Sequence, residues 1–448
     1  MSTAVDTPAT QPGSTRQERV GWYSYDLGIS AFRATVVTVF LGPYLGSIAE
    51  NAADRDGLVH PFGIPVAAGS LFAYTVSASV LLTVLILPLV GAIADRIYHK
   101  KQLLGVFAYL GAATTVGLVF LTDGRYLLGA LLFLIANICY GAAHVVFNSF
   151  LPQIAGPDDR DKVSSFGWAV GYIGGGVLLA ANLGALQVLG DAHKAQVARW
   201  SMVSAGIWWA VFTAIPMIRL RNRPPLAGEH RGSVLIDGFR QLGRTLSELR
   251  AYPLTLLFLV AYLLYNDGIQ TVITLASVYA DKQLGLVQSV QVKTILVVQF
   301  VAFAGAWGLG LLARRIGARR AILGSLVVWI VAIGLAYFLP AGQPTLFMLL
   351  GALIGIVLGG SQALSRSLFS QLIPPGREAE YFGLYEISSD GTSWLGPLLF
   401  GLIYQITHTY RLAIISLLVF FVAGFLMLLA VPIRRAIVAA GNTPPQVL

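Results

Sequence analysis

Arg33 stands alone in a long apolar stretch: no other charged residue lies between Asp26 and Glu50. Asp26, Ser30 and Arg33 follow helical spacing and share one face. At 1.5 Å per residue Arg33 sits about 10 Å beyond Asp26, too far for a direct pair, so each can hold a different partner. A charge at the centre of a bilayer costs roughly 2.5–3.5 kcal/mol on insertion scales, which marks such residues as functional candidates. A guanidinium there could receive a carboxylate, and a carboxylate there could receive an ammonium or a proton. Arg33 together with Asp26 or Asp267 would satisfy a zwitterion, which needs a buried cation and a buried anion, and Asp267 is the expected partner of Arg33 when no substrate is bound. A simpler account of Asp26 is a negative charge favoured near a helix N-terminus.

Three further groups join these. Asn137, Tyr140, His144 and Asn148 form one stripe about 80° wide on a helix, facing a watery cavity or a neighbouring helix through hydrogen bonds of about 0.6 kcal/mol each. Asn266, Asp267, Gln270 and Thr271 lie about 14 residues after Pro253, near mid-depth. Asn266 and Gln270 face together, and Asp267 turns about 100° away. Finally, Ser361, Gln362, Ser365 and Arg366 close one helix, while Tyr385, Glu386, Ser389 and Asp390 open the next. Glu386 and Asp390 are i, i+4. Two carboxylates on one face suit a proton carrier, or a gate in which Arg366 pairs one of them. The six His include five dispersed at 60, 99, 193, 230 and 408, so no metal site is expected. No Gly-x-x-x-x-Gly-Lys-Ser/Thr loop appears, and no nucleophile–base set stands in a loop domain. Neither an enzyme nor a cofactor is expected, and any transport must draw on a gradient.

The elements that must carry these residues follow from the composition. The chain has 448 residues, 56% hydrophobic and 11% charged, with a single Cys139. A soluble domain carries about 25% charged residues. Charge-free runs cover 57–94, 126–157, 163–190, 321–365 and several other stretches. These match spans of about 20 apolar residues and exclude a soluble enzyme, a disulfide scaffold and a disordered chain. They are about twice the length of barrel strands and lack strict alternation. Twelve helices are expected near 23–48, 71–94, 103–122, 126–150, 163–187, 200–219, 254–280, 294–313, 321–339, 345–369, 381–406 and 410–433. Pro340 to Pro344 supplies the turn inside the longest run. With the N-terminus inside, twenty-two of the 30 Lys and Arg residues fall in inside segments and seven outside. Both termini are therefore expected to be cytoplasmic. The net charge of +9 is loop asymmetry, not a sign of nucleic-acid binding.

The chain reads as two similar halves. The expected organisation is a polar tail over 1–22 with no signal-peptide core, a six-helix bundle over 23–219, a cytoplasmic linker over 220–252, a second bundle over 253–433, and a tail over 434–448. Tyr25-Asp26-Leu27-Gly28-Ile29 matches Tyr265-Asn266-Asp267-Gly268-Ile269. Gly91, Asp95, Arg96 and Lys100 after helix 2 match Gly310, Arg314, Arg315 and Arg319 after helix 8. Parallel six-helix repeats around a midplane site describe one transporter architecture.

Gly91-x-x-x-Asp95-Arg96-x-x-x-Lys100 resembles the loop signature of the major facilitator superfamily, with Tyr98 where that pattern has Gly. The second copy keeps the glycine as Gly317 and replaces the acid by Arg314. More narrowly, Trp22-x-x-Tyr25-Asp26-x-x-x-Ser30-Ala31-Phe32, Leu151-Pro152, Phe166-Gly167-Trp168-x-x-Gly171-Tyr172 and Tyr265 to Thr271 resemble the autophagy-related vacuolar amino-acid effluxers and their bacterial relatives. The resemblance implies an all-α integral membrane protein of twelve helices in two pseudo-symmetric bundles. It implies secondary transport of a small amphipathic solute, amino acids first, by alternating access, with proton-coupled export and Asp95 as a gate anchor that caps the N-terminus of helix 11. The partners implied are a small-molecule solute, the lipid bilayer and protons, with no nucleic acid, in a monomeric chain of a bacterial plasma membrane. Two other readings are open. Tyr140, Trp168, Tyr172, Tyr262 and Trp394 could line a larger cavity for drug-like or lipid-like amphiphiles. A non-transporting receptor or sensor is the second, although it would have no use for two matched gate loops. Gly167, Gly171 and Gly175 are expected to let helices approach closely.

Overall fold

The computed structural model describes residues 15–68, 71–122, 124–190, 193–225, 252–390 and 395–448. Most of the linker and Trp394 lie outside the described residues, as does the Asp390 side chain. In chain order the helices are α1 (Arg16–Ala52), α2 (Leu71–Ala94), α3 (Lys100–Phe120), α4 (Tyr126–Ile154), α5 (Arg160–Leu189) and α6 (Lys194–Arg219). The second half follows with α7 (Pro253–Lys282), α8 (Gln288–Ile316), α9 (Ala318–Phe338) and α10 (Pro344–Gln371). It ends with α11 (Glu378–Asp390), α12 (Leu395–Thr407), α13 (Tyr410–Ala430) and the short α14 (Ile433–Ala439). Eleven helices among the described residues are long and apolar enough to cross a membrane. Helices α11 and α12 together occupy the place expected of one helix over 381–406. The loop after α1 carries a small antiparallel pair, Leu58–Val59 with Val66–Ala67.

Helix α1 starts seven residues earlier than the apolar pattern suggests. Thr15 accepts from the Glu18 backbone, and the Glu18 carboxylate accepts from the Thr15 N–H, a capping box that polar composition had hidden. Beyond Ala31 the helix widens into a π-helical stretch, Phe32–Phe40, rich in β-branched residues, before resuming at Leu41. The Thr38 hydroxyl donates to the Arg33 carbonyl at 2.9 Å, occupying a backbone acceptor inside this wide turn. Such bulges recur at functional sites, and this one surrounds Arg33.

Each half has its own apolar core. One gathers Trp22, Tyr25, Phe32, Phe133, Phe147 and Trp209; the other gathers Phe258, Tyr265, Trp329, Phe369 and Phe421. Helices in lipid associate through packing contacts and hydrogen bonds, because lipid tails are as apolar as the side chains. Small residues at crossings therefore matter, and the repeat places them equivalently. A Cβ on Gly28 of α1 would press on Phe212 of α6, and one on Gly268 of α7 would press on Phe420 and Phe421 of α13. Gly174 of α5 takes the Leu27 carbonyl of α1 against its backbone, and Gly167 and Gly171 take Trp22, Asp26 and Ser30. The turn at Gly342 (φ 72°) joins α9 to α10 where the proline-flanked sequence predicts it.

This packing generates a stability prediction. Gly28→Leu should cost about 1–3 kcal/mol, the usual range for overpacking, and lower the unfolding temperature in detergent. Gly324→Leu, where a Cβ meets nothing within 4 Å, should leave it unchanged.

Candidate functional site

The Arg366 side chain of α10 is 1% exposed and lies between the two halves. Its Nε donates to Ser164 Oγ at 2.9 Å and its Nη2 to the Ser164 carbonyl at 2.9 Å. Nη1 donates to Asn148 Oδ1 at 3.2 Å, and Nη2 faces Asp26 Oδ2 at 3.5 Å. Trp22 lies 4.7 Å from the guanidinium carbon and Trp168 5.5 Å, so the cation also rests on aromatic faces. Every one of these partners belongs to the first half: α1 supplies Trp22 and Asp26, α4 supplies Asn148, and α5 supplies Ser164 and Trp168. Each helix presents its pair at i, i+4, or one residue on the same face, as helical spacing requires.

Asn148 passes the contact on. Its Nδ2 donates to Glu386 Oε1 of α11 at 2.9 Å, while Ser389 Oγ donates to Glu386 Oε2 at 3.2 Å. His144 Nδ1 stands 3.7 Å from the same carboxylate. Arg366 therefore pairs with Asp26, not with Glu386, and Asn148 bridges Arg366 to Glu386. The Arg19–Asp159 pair and the Gln446–Asp158 contact put both ends of the described chain and the α4–α5 loop on one face of the molecule, the near face. More contacts join the halves there. Arg160 Nη1 donates to the Ser370 carbonyl at 2.9 Å, Ser164 Oγ to the Ala363 carbonyl at 2.7 Å, and Ser367 Oγ to Asp161 Oδ1 at 2.5 Å.

The signature loop forms the outer edge of this seam. Asp95 accepts from the Ala379 N–H at 2.9 Å and from the Glu380 N–H at 2.8 Å, capping the N-terminus of α11 from the other half. Lys100 Nζ donates to Asp95 at 3.1 Å. A Cβ on Gly91 would strike the Ala379 carbonyl, so only glycine lets α2 meet α11 this closely. The second copy mirrors the contact, with Gly310 of α8 against Ser165 of α5. Burial holds the Asp95 carboxyl above its usual range, with Lys100 and the two N–H groups pulling it partly back. A cavity of about 280 Å³ opens beside it, lined among others by Lys100, Arg160, Glu378 and Asn442. Arg96 is half-buried at the same end of α2.

The other candidates divide. Arg33 is exposed although it stands half-way along α1, and its guanidinium lies 6.0 Å from the ring centroid of Tyr140. Tyr140 stacks beside His144 and Phe32, so Arg33, Tyr140 and His144 form one surface. Asn137 donates to Ser79 at 3.1 Å and serves the α4–α2 crossing. Asn266 donates to the Ser389 carbonyl at 2.9 Å and accepts from Gln362 at 3.3 Å, tying α7 to α11 and α10. Gln270 is half-buried. Asp267 is fully buried and makes no ion pair, so the expected resting pair with Arg33 is absent. Its surroundings explain this: Asp267 turns toward Gly396 of α12, away from the first half. Trp22 and Ser164 were not picked out as site residues by the spacing argument. The available signal was their i±4 relation to Asp26 and Trp168.

A two-half helical membrane protein whose halves meet at one face through the signature loop is a transporter of the major facilitator type. Solved structures agree on the fold. The proton:xylose symporter XylE bound to 6-bromo-6-deoxy-D-glucose superposes with TM-score 0.67 at 15% identity, covering 92% of this chain and 94% of that one. A bacterial homologue of the iron transporter ferroportin, in its outward-facing state, gives 0.66 at 15% identity, covering 93% and 99%. The chain belongs to the family described as vacuole effluxer Atg22 like, whose profile matches residues 14–441. An uncharacterized MFS-type transporter of Bacillus subtilis, YxiO, is 31% identical over 426 residues, covering 93% of this chain and 95% of the relative. Autophagy-related protein 22 of Pyricularia oryzae is 28% identical over 504 residues, covering 90% and 74%.

The Asp95 cap yields a graded prediction. Asp95→Ala should loosen the near-face seam by about 1 kcal/mol, the worth of an N-cap. Asp95→Asn, which can still cap but leaves Lys100 without its partner, should fall between Ala and the parent. Accessibility of a cysteine placed at Gly376 to a soluble thiol reagent reads the order.

Proposed function

We propose that this transporter carries small zwitterionic solutes, amino acids first, by alternating access, and that Asp26, Asn148, Arg366 and Glu386 form its near-face gate with Gly91, Asp95, Arg96 and Lys100 as the outer latch. The single observation that carries the substrate reading is Arg33: a guanidinium exposed at mid-span, above Tyr140, inside a π-helical widening of α1. An exposed cation at that depth is tolerated where water or a ligand reaches it. A planar fork there suits a carboxylate held by two parallel hydrogen bonds. The family description, vacuole effluxer, supports export. Loop charge supports cytoplasmic termini, so the near face is the cytoplasmic one and the closed seam belongs to an outward-facing conformation.

The amphiphile reading loses support from where its aromatic residues stand. Trp168 covers Arg366, and Tyr262 is 3% exposed and stacked on Tyr385 at 4.3 Å. These two rings pack the gate and the core of the second half.

Purified protein in liposomes tests the substrate reading. Arg33→Lys keeps the charge but loses the bidentate fork, so binding of a neutral amino acid should weaken about tenfold or more. The carboxyl-amidated analogue should bind poorly to the parent and be indifferent to the substitution. Equal binding of acid and amide by the parent would remove Arg33 from the substrate site.

A further inference from the structure

The gate accounts for the partners of two membrane carboxylates and leaves a third without a counter-charge among the described residues. Asp26 faces Arg366, and Glu386 accepts from Asn148 and Ser389. Asp267, at the midpoint of α7, is 0% exposed, and among the described residues neither carboxyl oxygen has a side-chain partner or a counter-charge. Among the described residues the Gly396 backbone N–H, close to the start of α12, is the donor beside the carboxyl, and Thr271 donates its hydroxyl to the Asp267 carbonyl, not to the carboxyl.

The described charged and titratable groups on the surrounding helices are engaged elsewhere, and the Asp390 side chain of α11 lies outside the described residues. Arg366 of α10 pairs with Asp26, and Glu386 of α11 meets Asn148. Tyr385 of α11 stacks on Tyr262. Tyr404 of α12 stacks on Tyr410 of α13, and Arg411 donates to the Leu339 carbonyl. Lys293 of α8 lies toward the far end of its helix, and Arg434 and Arg435 of α14 lie at the near face. A carboxylate buried without a counter-charge, with a backbone N–H as its donor, remains so costly that a carboxyl group in that position takes up a proton instead.

We infer that Asp267 is the proton-coupling site: in this conformation its side chain is the neutral acid, and it releases the proton when the halves rearrange and the α7–α12 contact admits water. The proton leaves the carboxyl oxygen to water and returns from water, so nothing else is consumed. This inference rests on the transport reading above for its coupling role, but not for the protonation itself. It also separates duties: the α11 carboxylate Glu386 holds the gate, and Asp267 carries the proton.

The experiment uses the full-length protein in liposomes, with Asp267→Asn as a near-isosteric neutral mimic and Asp267→Glu as a variant that keeps an acid. Infrared spectroscopy at neutral pH should show a protonated carboxylic-acid carbonyl band in the parent, shifted in Asp267→Glu and missing in Asp267→Asn. Asp267→Asn should keep exchange of substrate for substrate within about twofold while pH-gradient-driven accumulation falls by about tenfold or more. Asp267→Glu should retain part of that accumulation. An unchanged band in Asp267→Asn, or full gradient-driven accumulation by it, overturns the inference. If Asp267→Asn does not fold, an unshifted band in Asp267→Glu overturns it equally. If the parent moves no amino acid at all, the substrate reading falls, and the infrared band alone decides whether Asp267 holds a proton.

Discussion

A guanidinium with almost no access to solvent cannot stand in an apolar interface without compensation. Arg366 finds its hydrogen-bond and aromatic partners in the opposite half: two acceptors from Ser164, one from Asn148, the Asp26 carboxylate and the faces of two tryptophans. Docking of the halves at the near face is thus the condition under which Arg366 is satisfied. Removing one partner of a buried ion pair typically costs about 3–5 kcal/mol. Separation of the halves must therefore deliver water, or a new set of acceptors, to this group. A side chain with that property makes the closed state discrete, since partial opening would leave the charge neither docked nor hydrated.

The repeat explains why the seam has this shape. Equivalent helices of the two halves cross at glycines: α2 meets α11 at Gly91, and α8 meets α5 at Gly310. Only the first crossing carries the acid. Asp95 caps α11, whereas its counterpart after α8 is Arg314, with a bare α5 start that uses Arg160 to reach the Ser370 carbonyl. The two crossings are alike in shape and unlike in charge, so the latch is one-sided. Above the seam, the mid-depth surface of Arg33, Tyr140 and His144 belongs to the first half, and the buried Asp267 to the second. Substrate recognition and proton handling would then sit on opposite halves and communicate through the gate between them.

Much of this was legible in the sequence, for definite reasons. Membrane helices announce themselves through missing charge, and the Pro340–Pro344 turn through its residue types. Asp95 as a cap for α11 followed from a helix N-terminus needing acceptors and from the matched loops. Partner assignment was less legible. Arg366 could have chosen among Asp26, Glu386 and Asp390, and spacing along one helix says nothing of which other helix comes nearest. Asp267 was expected to reach Arg33; its 100° offset from Asn266 was visible, but the helix that offset faces was not. The start of α1 was hidden because a capping box is polar and reads as tail. The π-helical widening at Phe32–Phe40 left no periodic signature, since all its residues but Arg33 and the threonines are apolar.

The central claim is that the Arg366 docking site holds the halves together at the near face. The direct test is the distance between spin labels at Gly156 in the first half and Arg320 in the second, measured on reconstituted protein with and without Arg366→Met. The account predicts a single short distance in the parent and a dominant longer one in Arg366→Met, whose loss of the cation leaves Asp26 to favour hydration. The same distance distribution in both proteins, with the variant folded, would contradict it.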